Sequence, residues 1–387
     1  MIARPVERPA YDLDAWRRTI PILDCAVPMC HCSQSPQLER TRAAAEEYLD
    51  SWRREGMDWE RWMTEVEAAR DAFAALIGAA PEEVAVSTSV SAATASLASA
   101  LEPAGPRRRV VATAAEFPCV GQVWLAAAER YGLEVDWVPL AGGEVDPEGW
   151  DRRLDERTLV VSASHAYYQN GALIDPAALA ERAHRVGAWL YVDAYQTLGV
   201  EPVDVRAAGI DFLASGNLKY LLGIPGIAFL YVRRELIERL RPALTGWFGR
   251  RDPFAFRADI LDWADGGARF DTGTPPVAAA YVARAGMEVI REVGAERIRD
   301  WTRVLSRRLL EGGAARGLAV HGPREPERKT PSTAFLVEDS AAVEAALRRL
   351  GVLASARGPA VRLAPHFYNT LEDVDRALDA LARVTGR

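Results

Sequence analysis

Lys219 is the residue whose type and surroundings point most clearly to covalent chemistry. Of the 47 basic residues only Lys219 and Lys329 are lysines, so arginine fills nearly every position that needs only a positive charge. Leu218, Tyr220 and Leu221 place apolar groups around Lys219, which disfavour the ammonium form and lower the pKa of the amine. A neutral amine is a nucleophile that forms Schiff bases. The alternative is a lysine whose stem packs at a strand end while its ammonium group reaches water.

Asp193 is the second residue that could take part in the chemistry. It ends the apolar run 189–193 and has no cation beside it in the sequence. A buried carboxylate needs a partner, although such an aspartate can also serve only as a helix cap. An aspartate at a strand end before a reactive lysine fits a pyridoxal phosphate (PLP) site. There the acid keeps the pyridine nitrogen protonated and the lysine binds the aldehyde.

The stretch Ser87-Thr88-Ser89-Val90-Ser91 is a candidate anion site. It follows the predicted strand 81–86 and opens a helix of small residues that continues to about Leu101. Backbone N–H groups and the helix dipole at such an N-terminus both favour a bound phosphate. Because Ser and Thr are also common N-caps, capping alone is the alternative interpretation.

The four cysteines all precede residue 120, which is too few for a disulfide scaffold in a chain of this length. Cys25, Cys30, His31 and Cys32 could supply zinc ligands, but their spacing lacks the usual pair of two-cysteine knuckles. We therefore expect no metal site, and we interpret this cluster as a loop near the mouth of the active site.

Composition narrows the class of protein. The chain has 387 residues, 49% hydrophobic and 26% charged, which predicts a large core and two domains. A net charge of −7 argues against a nucleic-acid or anionic-membrane surface. The most apolar segment, 221–232, is interrupted by Gly and Pro and is too short to span a bilayer. The first twenty residues lack the apolar middle of a signal peptide, so we expect a cytoplasmic protein.

Strand and helix patterns alternate through most of the chain, which predicts an α/β fold with a largely parallel sheet. Ligands bind at the carboxyl ends of the strands in such folds, where residues 116–117, 165–171, 193–196 and 215–219 all fall. Helical periodicity covers 38–52, 59–77, 120–131, 176–186, 277–293, 295–312, 340–350 and 371–384; strands are predicted at 110–113, 135–139, 159–164, 189–193, 210–215, 318–321, 333–337 and 360–363.

Five motifs in order resemble the class V aminotransferase superfamily, most closely its kynureninase and cysteine desulfurase members. The similarity extends from about residue 40 to the end of the chain. It implies the fold type I architecture of PLP-dependent enzymes, with a smaller C-terminal α+β domain and a homodimer that shares its active sites. We expect an N-terminal segment (1–37), a large PLP-binding domain (38–255) and a small domain (256–387). The motifs are 193–196, 215–220, 246–249, 272–276 and 362–370.

The resemblance also implies roles for individual residues. Lys219 would form the Schiff base, Asp193 would pair with the ring nitrogen and Gln196 would bond the ring hydroxyl. Phe117 would stack on the ring, and near Tyr168 the asparagine that often touches the ring hydroxyl is replaced. The phosphate would be bound by Ser89, Val90, Ser91, Ser215, Asn217 and, from the neighbouring subunit, Thr274.

For the substrate, the resemblance implies that Arg362 binds the α-carboxylate through the planar fork that only arginine offers. A surface ion pair is the alternative. The candidates for contacting the substrate side chain are His366, Tyr368, Tyr168, Trp247 and the loop Cys30-His31-Cys32.

Two departures from the family pattern shape the expected reaction. Desulfurases carry a cysteine on the loop before the carboxylate-binding arginine, whereas this loop offers Ser355 and Arg357. The region 25–37 does not resemble kynureninase. We expect a lyase that acts on an α-amino acid through a Lys219 aldimine and cleaves a β-substituent (C–S or kynureninase-like C–C), without a persulfide cysteine.

Two alternatives remain open at this point. One is an aminotransferase that passes the amino group to a keto acid. The other is a non-catalytic binding or regulatory module, which usually carries an added DNA-binding domain; we expect no room for one in the first forty residues.

Overall fold

A seven-stranded sheet organises the computed structural model, which describes residues 8–103 and 105–387. Ala228–Val232 runs antiparallel to both of its neighbours, and the other strands run parallel to one another. The predicted α/β class is therefore confirmed. From one edge to the other the strands are Val84–Ser87, Ala228–Val232, Phe212–Gly216, Trp189–Asp193, Thr158–Ser164, Arg109–Thr113 and Glu134–Val138.

Helices cover both faces of this sheet, and apolar side chains from the strands fill a core on each side. The nine predicted helices and the predicted strand positions agree with the structure to within a few residues. The helices of the first 240 residues are Leu13–Arg17, Glu39–Glu55, Trp59–Leu76, Val90–Ala100, Pro118–Tyr131, Pro147–Asp151, Pro176–Arg185 and Arg234–Ile237.

The C-terminal part builds a second, four-stranded antiparallel sheet. Its strand order is Val320–His321, Thr333–Leu336, Ala360–Leu363 and Ser355–Arg357. Helices Ala295–Ala315, Ser340–Arg349 and Leu371–Val384 pack on it and bury a separate apolar core. This is the small α+β unit that the sequence predicts.

The amino-terminal segment attaches to this second unit. Val27–Pro28 pairs in parallel with Val352–Leu353, and Cys30 forms an isolated bridge with Ala364. These pairings bring the cysteine-containing loop next to the strand that carries Arg362.

Helix Val277–Val293 packs against Glu39–Glu55 and Trp59–Leu76 and shares the core of the large sheet. This packing favours a domain boundary after that helix, and the boundary at residue 256 stays a prediction. No helix in residues 8–103 or 105–387 is long and apolar enough to cross a membrane.

The sequence analysis assigned no strand to Ala228–Val232, where every residue is buried. A strand that is covered on both faces shows no alternation of apolar and polar residues, so periodicity does not reveal it. Short elements at Val27–Pro28, Leu140–Ala141, Glu144–Val145, Val352–Leu353 and Ser355–Arg357 were also not predicted.

Candidate active site

A cavity of about 350 Å³ opens where the carboxyl ends of the parallel strands meet. Because those ends lie at one edge of the sheet, residues far apart in sequence converge there. Most of the predicted site residues line this cavity: Ser89, Val90, Ser91, Phe117, Tyr168, Asp193, Gln196, Lys219 and Arg362.

Lys219 follows the strand Phe212–Gly216 and is half-buried in the cavity wall. Burial lowers the pKa of its amine to about 8, against the opposing effect of the Asp193 carboxylate. The Nζ atom lies 4.1 Å from the ring centroid of Tyr195 and 5.4 Å from that of Phe117. A large share of the amine is therefore neutral and nucleophilic at mildly alkaline pH.

Asp193 ends the strand Trp189–Asp193 and is buried. Burial raises its pKa, while the Tyr195 N–H, which donates to Oδ1 at 2.9 Å, and the Lys219 charge oppose that rise. Among the described residues no other hydrogen bond to this side chain is formed. A buried carboxylate that borders a cavity with so few partners suits a cationic group bound in that cavity.

The turn before helix Val90–Ala100 forms another wall. Ser89 caps the helix, since its hydroxyl accepts from the Ala92 N–H at 3.1 Å. Capping is therefore confirmed, but it does not use the first two N–H groups, those of Val90 and Ser91, which have no acceptor inside a helix. These groups and the helix dipole could hold an anion in the cavity.

Aromatic and amide groups complete the wall. Phe117 lies at the start of helix Pro118–Tyr131, and its ring packs edge-on against Tyr168 with centroids 5.1 Å apart. Gln196 donates from Nε2 to the carbonyl oxygen of Cys32 at 3.0 Å. That bond connects the amino-terminal loop to the strand end that carries Asp193.

Arg362 is 1% exposed, yet every hydrogen bond that it donates goes to a neutral group. Nη1 donates to the Tyr168 carbonyl at 2.5 Å, and Nη2 donates to the hydroxyls of Ser33 at 2.9 Å and Ser355 at 2.6 Å. Within residues 8–103 and 105–387 no carboxylate pairs with this guanidinium, so the predicted alternative of a surface ion pair is wrong. A buried cation without a counter-ion is costly, and a bound carboxylate would compensate it.

His366 lies outside the cavity wall. Its side chain is completely buried; Nε2 lies 2.9 Å from the Tyr220 carbonyl, and Nδ1 accepts from the Phe367 N–H at 2.7 Å. Both ring nitrogens are therefore engaged in packing the segment after the strand Ala360–Leu363. The predicted contact between this imidazole and the substrate stays a prediction.

Four other predicted residues also lie outside this wall. Ser215 is buried and donates to the Gly216 carbonyl at 2.9 Å, and the Asn217 amide is buried in the space left by Gly223. Thr274 is exposed, and Trp247 lines a separate cavity formed mainly by residues 250–262. The roles of these four residues stay predictions.

Comparison with known proteins decides the family. The pattern of the family described as aminotransferase class-V matches residues 35–377, which is most of the chain. The protein belongs to the class-V aminotransferase family. The resemblance drawn from the five motifs is thereby confirmed, and the relatives are named as enzymes.

Three relatives of this class-V protein illustrate the range of activities named in the family. An uncharacterised aminotransferase, YcbU, of Bacillus subtilis is 37% identical and covers 96% of this chain and 98% of its own. A kynureninase of Bacillus anthracis is 28% identical over 87% of this chain and 83% of its own. The apo cysteine desulfurase of Thermococcus onnurineus superimposes with a TM-score of 0.86 over 98% of this chain and 99% of its own. At 23% identity it shows the fold alone.

The residues of this class-V enzyme fit PLP, which the family membership supports as its cofactor. The site combines a partly neutral lysine, a buried aspartate with room for a cationic partner and an anion-binding helix N-terminus. These are the groups that bind an aldehyde, a pyridinium nitrogen and a phosphate, respectively.

Some residues of the wall were not predicted. Tyr195 lies within the motif 193–196, but no role of its own was predicted for it. Cys32 and Ser33 belong to the expected loop near the active-site mouth and indeed line the cavity. In the described part of the chain no three His, Cys, Asp or Glu side chains are grouped to hold a metal ion.

Proposed function

We propose that this protein is a PLP-dependent lyase that binds an α-amino acid and removes a substituent from its β-carbon. The observation that carries the proposal is the buried guanidinium of Arg362, which has only neutral partners and borders the same cavity as Lys219. An amino acid would supply a carboxylate for Arg362 and an amino group for the lysine end of the cavity.

Three residues of the chain have separate roles in this reaction. Arg362 binds and orients the α-carboxylate, and Asp193 holds the proton on the ring nitrogen of the cofactor. Lys219, with its pKa lowered to about 8, removes the proton from the α-carbon as a general base. PLP, when bound, withdraws electrons from that carbon.

Cleavage at the β-carbon is supported by the kynureninase-like motifs and by the 28% identical relative that is named kynureninase. The desulfurase route is disfavoured because Ser355, on the loop before Arg362, uses its hydroxyl to accept from that arginine. A hydroxyl in this position does not replace the thiolate that persulfide formation requires. Sulfur from a sulfur-containing substrate would leave by elimination, and the remaining product would hydrolyse to pyruvate.

The first test is a panel of β-substituted amino acids assayed for pyruvate, alanine, ammonia and sulfide. We expect pyruvate with ammonia from C–S substrates, or alanine from kynurenine-like substrates. Product formation is expected without any added keto acid. Activity that depends entirely on a keto acid would contradict the lyase and support the aminotransferase, which the name of the 37% identical relative favours.

The persulfide question is decided by cysteine variants, since Cys32 and Cys119 line the cavity. Replacing all four cysteines by serine is expected to change turnover less than about threefold, and no protein persulfide should accumulate with a sulfur substrate. Cys32→Ser and Cys119→Ser, tested singly, are the matched controls. Lost turnover in a folded, PLP-loaded variant would show that one of these thiols transfers sulfur.

We also propose that the protein acts as a homodimer in which Thr274 contacts the cofactor phosphate of the neighbouring subunit. Thr274 is exposed and lies outside the cavity wall of its own subunit. Nearby, the cavity lined by Trp247 carries the exposed ring of Phe256. Phe254, Ile260 and Leu261 are exposed in the same segment, and a cluster of exposed apolar side chains is typical of an interaction surface.

Mixing two inactive variants tests this sharing. Lys219→Ala and Thr274→Ala are each expected to be inactive at limiting PLP. When they are unfolded and refolded together, random pairing should restore about one quarter of the parental activity, because half of the dimers then hold one intact site. If Thr274 acts within its own subunit, or the protein is a monomer, mixing restores nothing.

A further inference from the structure

Tyr195 and Phe117 both place an aromatic ring beside the amine of Lys219, at 4.1 Å and 5.4 Å from Nζ. Both residues line the cavity. The Phe117 ring packs against Tyr168. The rings of Phe117 and Tyr195 do not pack against each other. The space between them lies at the end of the cavity where Lys219 would bind an aldehyde. One flat aromatic ring fits between two such faces.

A glycine makes room for the tyrosine. A Cβ atom at Gly216 would lie 2.2 Å from Cζ and 2.4 Å from the hydroxyl oxygen of Tyr195. Gly216 lies in a strand and does not have a positive φ, so its backbone conformation does not require glycine. The lack of a side chain at Gly216 therefore serves to admit the phenol ring. It couples the strand that leads to Lys219 with the position of Tyr195.

The backbone of Tyr195 also contacts the proposed partner of the cofactor nitrogen, since its N–H donates to Asp193 Oδ1 at 2.9 Å. Tyr195 is partly exposed to the cavity, whereas its neighbour Ala194 is completely buried. A tyrosine that only filled the core would have its ring covered by protein on all sides.

We infer that Tyr195 is a cofactor-positioning residue that covers one face of the PLP ring while Phe117 covers the other. The inference rests on PLP binding, which is part of the proposed function, but it is independent of the reaction type. Tyr195 and Phe117 hold the plane of the ring, Asp193 holds its nitrogen, and Lys219 holds its aldehyde end. The aromatic faces also keep water from the ring.

Cofactor affinity and geometry test the inference in the full-length protein. Apoprotein is titrated with PLP while tryptophan fluorescence and the visible circular dichroism of the bound cofactor are recorded. Tyr195→Phe should keep the dissociation constant within about twofold, because the aromatic face remains. Tyr195→Ala should raise it about tenfold, as expected for the loss of one stacking partner, and should change the circular dichroism band.

The Gly216→Ala variant makes the test specific. Its new methyl group displaces Tyr195, so it should weaken PLP binding in the parent background, but it should have little further effect when Tyr195 is already alanine. Such non-additivity is the signature of direct coupling between two sites. Melting temperatures of the apoproteins show whether each variant is folded.

Each possible result has a definite meaning. Equal PLP affinity and an unchanged circular dichroism band for Tyr195→Ala would overturn the inference, and so would strictly additive effects of the two substitutions. A parent protein that does not bind PLP at all would instead overturn the proposed function.

Discussion

Lys219→Ala is expected to lower turnover by about 10³-fold or more, because one side chain both attaches the cofactor and moves the α-proton. The structure supports this role: burial lowers the amine's pKa to about 8, and the amine lies in the cavity with Asp193 and Arg362. The variant should still fold, since Lys219 donates no hydrogen bond to another described residue. Steady-state assays and apoprotein melting curves measure the two effects.

The chain offers a clean chemical control because it contains only two lysines. Borohydride reduction of the holoenzyme, followed by peptide mapping, should fix the cofactor on Lys219 and leave Lys329 unmodified. Lys329 is buried, and its Nζ donates to Ser306, Thr330 and Thr333. Lys329→Met should cost stability, about 1–3 kcal/mol, and keep the cofactor attached. Label on Lys329, or full activity in Lys219→Ala, would refute the assignment.

Arg362→Met is expected to lower kcat/KM by about 10²-fold or more, mainly through a higher KM, because the α-carboxylate loses its charged partner. The same change should cost the unliganded protein less than about 2 kcal/mol. The reason is that Arg362 donates only to neutral groups, so its removal leaves no buried carboxylate unpaired. Kinetics with the best amino-acid substrate and urea unfolding of the apoprotein separate these effects.

Arg70 is the matched control, because it is a buried arginine with the opposite environment. Its guanidinium pairs with the buried Asp271 at 2.8 Å. Arg70→Met should therefore destabilise by about 3–5 kcal/mol, since it strands a buried carboxylate, and should leave KM unchanged in the protein that remains folded. If Arg362→Met keeps the parental KM and Arg357→Ala raises it, the carboxylate binds at Arg357 instead.

Much of the fold was predictable because partly buried helices and strands place apolar residues at regular spacing in the sequence. Helices such as Val277–Val293 and Leu371–Val384 were predicted with their observed bounds from three- and four-residue spacing. The completely buried strand Ala228–Val232 has no such periodicity and was not predicted.

The site was predictable to a similar extent, and for a related reason. Lys219, Asp193 and the turn at Ser89 each end or follow a strand, and the carboxyl ends of parallel strands must meet at one edge of the sheet. The residue types therefore indicated the chemistry, and the parallel order of the strands predicted that they converge.

Which side chains face the cavity, and how far apart they lie, was decided only by tertiary packing. His366 follows the strand that carries Arg362, yet the chain after that strand turns its imidazole onto the Tyr220 carbonyl and away from the cavity. Cys32 reaches the cavity because the amino-terminal loop pairs beside Ala364, far away in the sequence.

The amino-acid sequence by itself established the α/β class and predicted a reactive lysine with an acidic partner, because local burial and residue chemistry can be read from neighbouring positions. The predicted role of Arg362 came instead from the resemblance to the family. Only the tertiary structure decided that Arg362 lacks a counter-ion and that Gly216 gives space to Tyr195. Those properties depend on which atoms from distant strands pack together, and no local pattern records that packing.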